Sequence, residues 1–200
     1  MKKTLLALLL STNLFLTGCF GCTTETTDDP TDTSSPTLVT YEKGGTRLEA
    51  PKDWDLFTED NFPSNVPAGT MFVLRNNIKS DVFTATLSVS QDEIVKGTNS
   101  KDFAIKSLNA ADYNLVAFKE IAREEIEVTK VGAEEDEIAA KTWLVTFQGR
   151  KTITEPVLEF KQLVVAQNGY GYIVTGSYLP SDDQSVVIKI DNMVKSFQLK

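Results

Sequence analysis

The dipeptide Asn168-Gly169 constrains the fold of this chain more than any other local feature. Both of its residues tolerate a positive φ, so the dipeptide favours the two-residue type I′ turn of a β-hairpin. It joins an apolar run at 157–165 to a second run at 170–174. The first run, like an earlier one at 140–147, carries apolar residues on both faces, which is typical of strands covered on both sides. The sequence therefore predicts an antiparallel hairpin within a covered sheet.

Further strands are predicted before this hairpin. Gly44-Gly45 separates two short extended segments, as in a hairpin turn. Residues 82–90 alternate between apolar and hydroxyl side chains, which predicts a half-solvated antiparallel strand. The apolar face of that strand comprises Phe83, Ala85, Leu87 and Val89. The other extended segments are predicted at 38–41, 46–50, 54–57, 71–74 and 116–129, the last with a bulge or turn near Arg123.

Two helices are predicted. Asn99 or Ser100 can cap the first, because a short polar side chain there accepts a free backbone N–H. Ser-Asp-Asp-Gln at 181–184 predicts a capping box that begins the second helix, with two acids at its positive end. The predicted apolar faces are Ala104, Ile105, Leu108 and Ala111 in the first helix, and Val186, Ile190, Met193 and Phe197 in the second. This order of elements predicts an α+β fold with a mainly antiparallel sheet.

Composition excludes several classes of function. The chain has no histidine, the commonest general base and zinc ligand, and its two cysteines cannot build a cysteine-rich metal site. Ser177 and Ser181 lie in no nucleophile elbow, and no phosphate-binding or dinucleotide motif is present. A net charge of −8 argues against nucleic-acid binding. We therefore expect no catalysis, no cofactor and no nucleic-acid partner, and a fold that depends on a core containing Trp54 and Trp143.

The first 18 residues have the organisation of a secretory signal. Lys2 and Lys3 precede an apolar stretch at 5–16, which is shorter than the ~20 residues of a membrane-spanning helix. The ending Leu-Thr-Gly-Cys at 16–19 resembles the bacterial lipobox, whose cysteine is acylated and becomes the new N terminus. The resemblance implies a signal peptide at 1–18, acyl chains such as palmitate on Cys19, and an extracytoplasmic lipoprotein anchored to the cell membrane.

Residues 19–37 are predicted to form a disordered linker behind that anchor. The stretch 23–37 consists of threonine, serine, proline and acidic residues, without an aliphatic or aromatic side chain. Such a segment buries too little apolar surface to offset the entropy lost on ordering. About 15 residues of flexible coil span roughly 20 Å, which would hold a folded domain at 38–200 clear of the membrane.

The folded part resembles the PsbP/Mog1 family in three segments. These are a glycine-led strand with a Pro-x-x-Trp turn at 45–54, a hairpin leading into Tyr-x-Val-Thr-Gly at 168–177, and a Val-x-Ser-Phe ending at 193–197. The resemblance implies an α-β-α sandwich with a mainly antiparallel central sheet. Members of the family are generally non-enzymatic accessory or binding proteins, among them photosystem II extrinsic subunits and a nuclear-transport regulator. We carry over the fold and no partner.

Two clusters are weak candidate sites. The acidic run Glu134, Glu135, Asp136 and Glu137 could bind a hard cation, but it lacks the spaced ligands and glycine of a calcium loop, so a solvated turn is favoured. Three tyrosines share one face of a predicted strand and could form an aromatic binding strip, although a sheet face covered by a helix is the favoured interpretation. They are Tyr170, Tyr172 and Tyr178.

The leading hypothesis is a membrane-anchored, non-catalytic binding or accessory lipoprotein with a protein partner in the cell envelope. Two alternatives stay open. One is an envelope hydrolase that uses carboxylates alone, which requires two carboxylates about 5–10 Å apart in a cleft. The other is a metal-dependent assembly factor, whose melting temperature would rise with bound metal.

Overall fold

Ten strands and two helices make up the computed structural model over the residues that it describes, which are 37–63, 66–132 and 137–200. In chain order the elements are β1 (Leu38–Lys43), β2 (Thr46–Pro51), β3 (Asp55–Phe57), β4 (Thr70–Arg75), β5 (Thr86–Glu93), α1 (Ser100–Asn114), β6 (Val116–Thr129), β7 (Ile138–Arg150), β8 (Leu158–Gln167), β9 (Tyr170–Tyr178), α2 (Gln184–Lys195) and β10 (Gln198–Leu199). The predicted signal peptide, Cys19 and all of the predicted linker except Thr37 lie outside the described residues.

The strands form a seven-stranded sheet in the order β3-β4-β5-β9-β8-β7-β6 and a three-stranded sheet in the order β1-β2-β10. Every pair of neighbouring strands is antiparallel. The predicted hairpin is confirmed as β8 and β9, with φ of 55° at Asn168 and 87° at Gly169, as a type I′ turn requires. The bulge predicted near Arg123 is also confirmed, because the pairing of β6 with β7 shifts register between Glu120 and Ala122.

One face of the large sheet, the α1 face, is covered by α1 over β7 and β8. Phe103 and Ala104 pack with Val164, and Leu108 packs with Val145 and Phe147. The rest of this face has no helix above it among the described residues. There the side chains are small, polar and half-buried, as the alternation in 82–90 predicted, and they include Thr86, Ser88, Ser90, Thr175 and Ser177.

The opposite face, the α2 face, is covered by α2 together with the three-stranded sheet. Val186, Ile190 and Met193 point from α2 into one continuous buried cluster. That cluster joins β2, β4, β5, β8 and β9 to the helix, and it includes Trp54, as predicted. The layers are therefore α1, the large sheet, and α2 with the small sheet. This arrangement is an α-β-α sandwich with a mainly antiparallel central sheet.

Several local expectations were wrong. Ile105 is 41% exposed, because Phe103 occupies the inward position of the first turn of α1 and rotates Ile105 outward. Strand β5 begins at Thr86 rather than at 82, since its two neighbours β4 and β9 end at Arg75 and Tyr178 and leave residues 82–84 without a strand to pair with. Phe197 is buried, as expected, but it lies beyond the C-terminal end of α2.

The predicted caps are correct at α1 and wrong at α2. Asn99 caps α1, and its Oδ1 accepts the Lys101 N–H at 2.8 Å. At α2 the cap is Asp183 instead of the first residue of the predicted box, because the Asp183 carboxylate accepts the Ser185 N–H at 2.7 Å. The preceding Asp182 accepts the Leu179 N–H and closes the turn before the helix. Neither helix in the described ranges has the length and apolarity needed to cross a membrane.

Candidate functional site

A concave apolar surface lies where α1 ends, and we name it the α1-end pocket. Its walls come from three segments far apart in the sequence, and its volume is about 680 Å³. That volume falls within the roughly 300–1,000 Å³ typical of small-molecule sites. The lining residues are Val82 and Phe83 before β5, Asn114 and Leu115 at the end of α1, Lys151, Glu155 and Pro156 in the β7–β8 connection, and Leu158 and Phe160 on β8.

Packing beneath the pocket fixes its floor. The Phe160 ring stacks on Phe147 with centroids 5.1 Å apart, and Phe118 lies against the same Phe147 ring at 5.5 Å. Leu115 ends α1 and donates its backbone N–H to the Ala111 carbonyl. The pocket therefore has a floor of stacked aromatic rings.

Glycine on β7 makes room for the Leu115 wall. A Cβ atom on Gly149 would lie 2.9 Å from the Leu115 Cβ, closer than such atoms can approach. Only glycine therefore lets the end of α1 settle this close to the sheet and form one side of the pocket.

Three polar side chains stand around the α1-end pocket. Glu155 accepts the Thr152 N–H at 3.1 Å, so its carboxylate is held by the turn. Asn114 donates its side-chain Nδ2 to the Ala110 carbonyl at 2.6 Å. Lys151 has no carboxylate within 4.0 Å among the described residues. With a single carboxylate, this lining lacks the two carboxylates that the carboxylate-dependent alternative requires.

A second concavity, the α1-side groove, runs along the other end of α1. It consists of two adjoining cavities of about 600 and 450 Å³, which share Glu93, Ile94, Phe103 and Lys106. Asp102 lines the first cavity and Asp92 the second. The groove thus brings three carboxylates to one concave surface, whereas the carboxylate-dependent alternative further requires two of them to lie about 5–10 Å apart.

The two aspartates at the start of α2 have a structural role, because both hydrogen-bond to the backbone. Asp182 and Asp183 line a cavity of about 300 Å³, but both carboxylates accept backbone N–H groups. The hydrogen bond from the Ser185 backbone N–H is the main cause that holds the pKa of Asp183 below its ordinary value, and the Ser185 side chain adds a smaller contribution. A carboxyl group with a lowered pKa stays ionised near neutral pH and is a poor general acid.

A polar cluster connects α2 to the sheet. The Tyr178 hydroxyl donates to Glu159 at 2.6 Å, and Lys161 binds Asp191 of α2 at 2.5 Å. Burial is the main cause that raises the pKa of Tyr178, and the hydrogen bond to the Glu159 carboxylate raises it further. Burial also raises the pKa of Asp191, but hydrogen bonds from Lys161 and Lys195 outweigh it and leave that pKa below its ordinary value. The pair of Lys161 and Asp191 therefore ties α2 to β8.

The structure separates the three candidate tyrosines. Tyr172 and Tyr178 are buried beneath α2 and the small sheet, and Tyr170 is 42% exposed at the start of β9. They therefore form no continuous exposed strip. Of the two tryptophans expected in the core, Trp54 is buried and Trp143 is half-buried, with the Lys101 Nζ 4.6 Å from its ring centroid.

The acidic run is described only at its last residue. Glu134, Glu135 and Asp136 lie outside the described residues, and the exposed Glu137 pairs with Lys130. Within the described ranges, no group of three or more acidic or cysteine side chains is arranged to hold a metal ion.

Solved structures with this fold were found, although no protein-family model and no curated protein matches the sequence. The cyanobacterial PsbP protein CyanoP of Synechocystis sp. PCC 6803 is 17% identical, with a TM-score of 0.55 over 84% of this chain and 96% of that one. LpqN of Mycobacterium tuberculosis, described as involved in cell envelope biogenesis, is 14% identical. Its TM-score is 0.52 over 82% of this chain and 90% of LpqN. PA94 of Pseudomonas aeruginosa, a protein of unknown function, is 15% identical. Its TM-score is 0.50 over 80% of this chain and 94% of PA94.

These similarities concern the fold. They confirm that the described domain has the α-β-α sandwich of PsbP-like proteins, as its sequence signatures predicted. At identities of 17% and below, they transfer no ligand and no partner.

Proposed function

We propose that this protein is a lipid-anchored, extracytoplasmic accessory module that binds a component of the cell envelope without catalysing a reaction. The observation that carries the proposal is the α1-end pocket, which is large and apolar, has stacked aromatic rings as its floor and contains a single carboxylate. Such a lining offers affinity for an apolar group and lacks a pair of carboxylates.

The fold neighbours support the accessory role. One is a PsbP protein and another is described as involved in cell envelope biogenesis. Neither description names an enzymatic activity. A PsbP-like domain in the envelope therefore agrees with binding or assembly rather than turnover.

The anchor supports the location. Acyl chains on Cys19 would hold the mature protein at the membrane, because each buried CH₂ adds about 0.8 kcal/mol of membrane affinity. We propose that the residues after Cys19 tether the domain within reach of envelope proteins and lipids.

Anchoring is tested by metabolic labelling with palmitate and by fractionation of the native cells. We expect label and membrane retention in the wild type and in Cys22→Ala, and loss of both in Cys19→Ala. Equal labelling of the wild type and Cys19→Ala would contradict the proposed anchor.

Binding through the pocket is tested by placing a photo-crosslinking residue at Val82 in the full-length protein in its own cells. Val82 lines the pocket and is 65% exposed, and the matched control Val95, 80% exposed, lines the α1-side groove. Mass spectrometry should identify an envelope component captured from Val82 and not from Val95. Capture from Val95 alone would move the binding site to the groove.

The α1-side groove keeps the carboxylate-dependent hydrolase as a second candidate, because Glu93 and Asp102 line one cavity. Purified protein would then degrade isolated envelope glycans, and both Glu93→Gln and Asp102→Asn would abolish that activity. No release of reducing sugars by the wild type would eliminate this candidate.

A further inference from the structure

We infer that the α1-end pocket binds an amphiphile with one apolar chain and an anionic head group, a carboxylate or a phosphate, which pairs with Lys151. The inference rests on the proposed binding role of the pocket and specifies the chemistry of its ligand. It follows from the lining, from the charges around it and from the size of the cavity.

The walls select an apolar chain. Phe83, Leu115, Leu158 and Phe160 are only half-buried although all four are apolar, so their pocket-facing surface contacts solvent. Covering such surface is favourable, and each additional methylene that enters should tighten binding about fourfold. The volume of about 680 Å³ is that of a small-molecule site, which favours a whole ligand over one side chain of a partner.

The charges select an anionic head group. Lys151 is exposed at the pocket and has no carboxylate partner within 4.0 Å among the described residues. The neighbouring Glu155 is bound to the Thr152 N–H, and the Asn114 side-chain NH₂ to the Ala110 carbonyl. In a protein with a net charge of −8, this available cation is the group that can compensate a carboxylate or phosphate at the pocket.

Calorimetric titration of the full chain carrying Cys19→Ala tests the inference without acyl groups from the protein itself. The probes are laurate and dodecyltrimethylammonium, which share chain length and differ in head-group charge, at concentrations below micelle formation. We expect laurate to bind at least about tenfold more tightly than the cation, and decanoate, two methylenes shorter, to bind about 16-fold more weakly than laurate. Equal affinity for the two head groups would overturn the assignment of an anionic ligand.

Variants at exposed positions locate the site without threatening the fold. Lys151→Glu should weaken laurate binding about tenfold, whereas Glu155→Gln, which removes a like charge from the pocket, should tighten it. Val82→Asp should weaken binding strongly, whereas the matched Val95→Asp should not. Unchanged binding in Lys151→Glu, or an equal loss in Glu155→Gln, would refute the role of Lys151.

Two further results separate this inference from the proposed function. Absence of laurate binding, together with capture of an envelope protein from Val82 in cells, would overturn the amphiphile and leave the accessory role standing. Laurate binding that depends on Lys151, together with no palmitate label on Cys19 of the wild type in cells, would support the amphiphile and overturn the anchor.

Discussion

The two faces of the central sheet are built differently. The α2 face is covered by a helix and a second sheet, and its apolar residues merge into one buried cluster. The α1 face is covered by one helix over two strands, and its buried residues form two small clusters beside that helix. Both the α1-end pocket and the α1-side groove lie along α1, at the borders of its partial cover.

This difference separates stability from binding. Apolar area removed from water stabilises the fold, so the continuous cluster on the α2 face should dominate the free energy of unfolding. A helix that covers only part of a sheet leaves concave borders where a ligand can contact apolar walls. The following substitutions test that division, beginning with the largest expected effect.

Ile190→Ala should be the most damaging change. Ile190 is completely buried between α2 and the sheet, so its truncation leaves a cavity and should cost about 4 kcal/mol. The matched control Ile105→Ala, on the outer side of α1, should change stability by less than about 0.5 kcal/mol. Urea denaturation measures both. Similar losses in the two variants would contradict the contrast between the faces.

A pair of glycines on β9 compares the two faces directly. A Cβ on Gly176 would lie 2.2 Å from the Ile190 Cγ2 on the α2 face, and one on Gly171 would lie 2.3 Å from the Phe103 Cε1 on the α1 face. Ile190 is enclosed, whereas Phe103 borders the α1-side groove and can swing into it. Gly176→Ala should therefore cost about 3 kcal/mol and Gly171→Ala about 1 kcal/mol. A larger loss in Gly171→Ala, measured by thermal unfolding, would reverse this ranking.

Tyr178→Phe should have a smaller effect. It removes the buried hydroxyl that donates to Glu159 at 2.6 Å, and the loss should be about 1 to 2 kcal/mol. Tyr170→Phe, at the exposed start of the same strand, should leave the denaturation midpoint unchanged. Equal midpoints for Tyr178→Phe and the wild type would show that the hydrogen bond between Tyr178 and Glu159 adds no net stability.

Acid should weaken the attachment of α2 through Asp191. Its pKa in the folded protein is lowered, so its pairing with Lys161 and Lys195 stabilises the fold above the unfolded-state pKa and is lost as pH falls through the folded value. The pH range over which this stability is lost therefore begins near pH 4, the usual pKa of an aspartate, and extends below it. The stability difference between the wild type and Asp191→Asn should shrink between pH 6 and pH 3. A constant difference would argue against the pairing.

The fold could be predicted from the sequence because its signals are local and agree with one another. The Asn168-Gly169 turn, the alternation in 82–90 and the Asn99 cap each act through backbone geometry within a few residues. The inward position of α1 could not be assigned in the same way. Phe103 and Ile105 are both apolar and lie in one turn, and the decision depends on the space that Gly171 leaves on a distant strand.

The pocket could not be predicted for a related reason. Phe83, Leu115 and Phe160 belong to three segments, and each reads locally as a core residue of its own element. These side chains stay partly uncovered because α1 ends at Asn114 and β5 begins only at Thr86. What the sequence does not give is how much of the α1 face the helix covers, because no local sequence pattern encodes it.

The small sheet has a consequence for the order in which the molecule folds. Its middle strand, β2, pairs with β1 nearby and with β10, and the contact between Glu49 and Ser196 spans 147 positions. Contacts so distant in sequence form late, because a long loop must close first. The pairing of β2 with β10 should therefore gain amide exchange protection after the hairpin of β8 and β9, and lose it first when the protein opens.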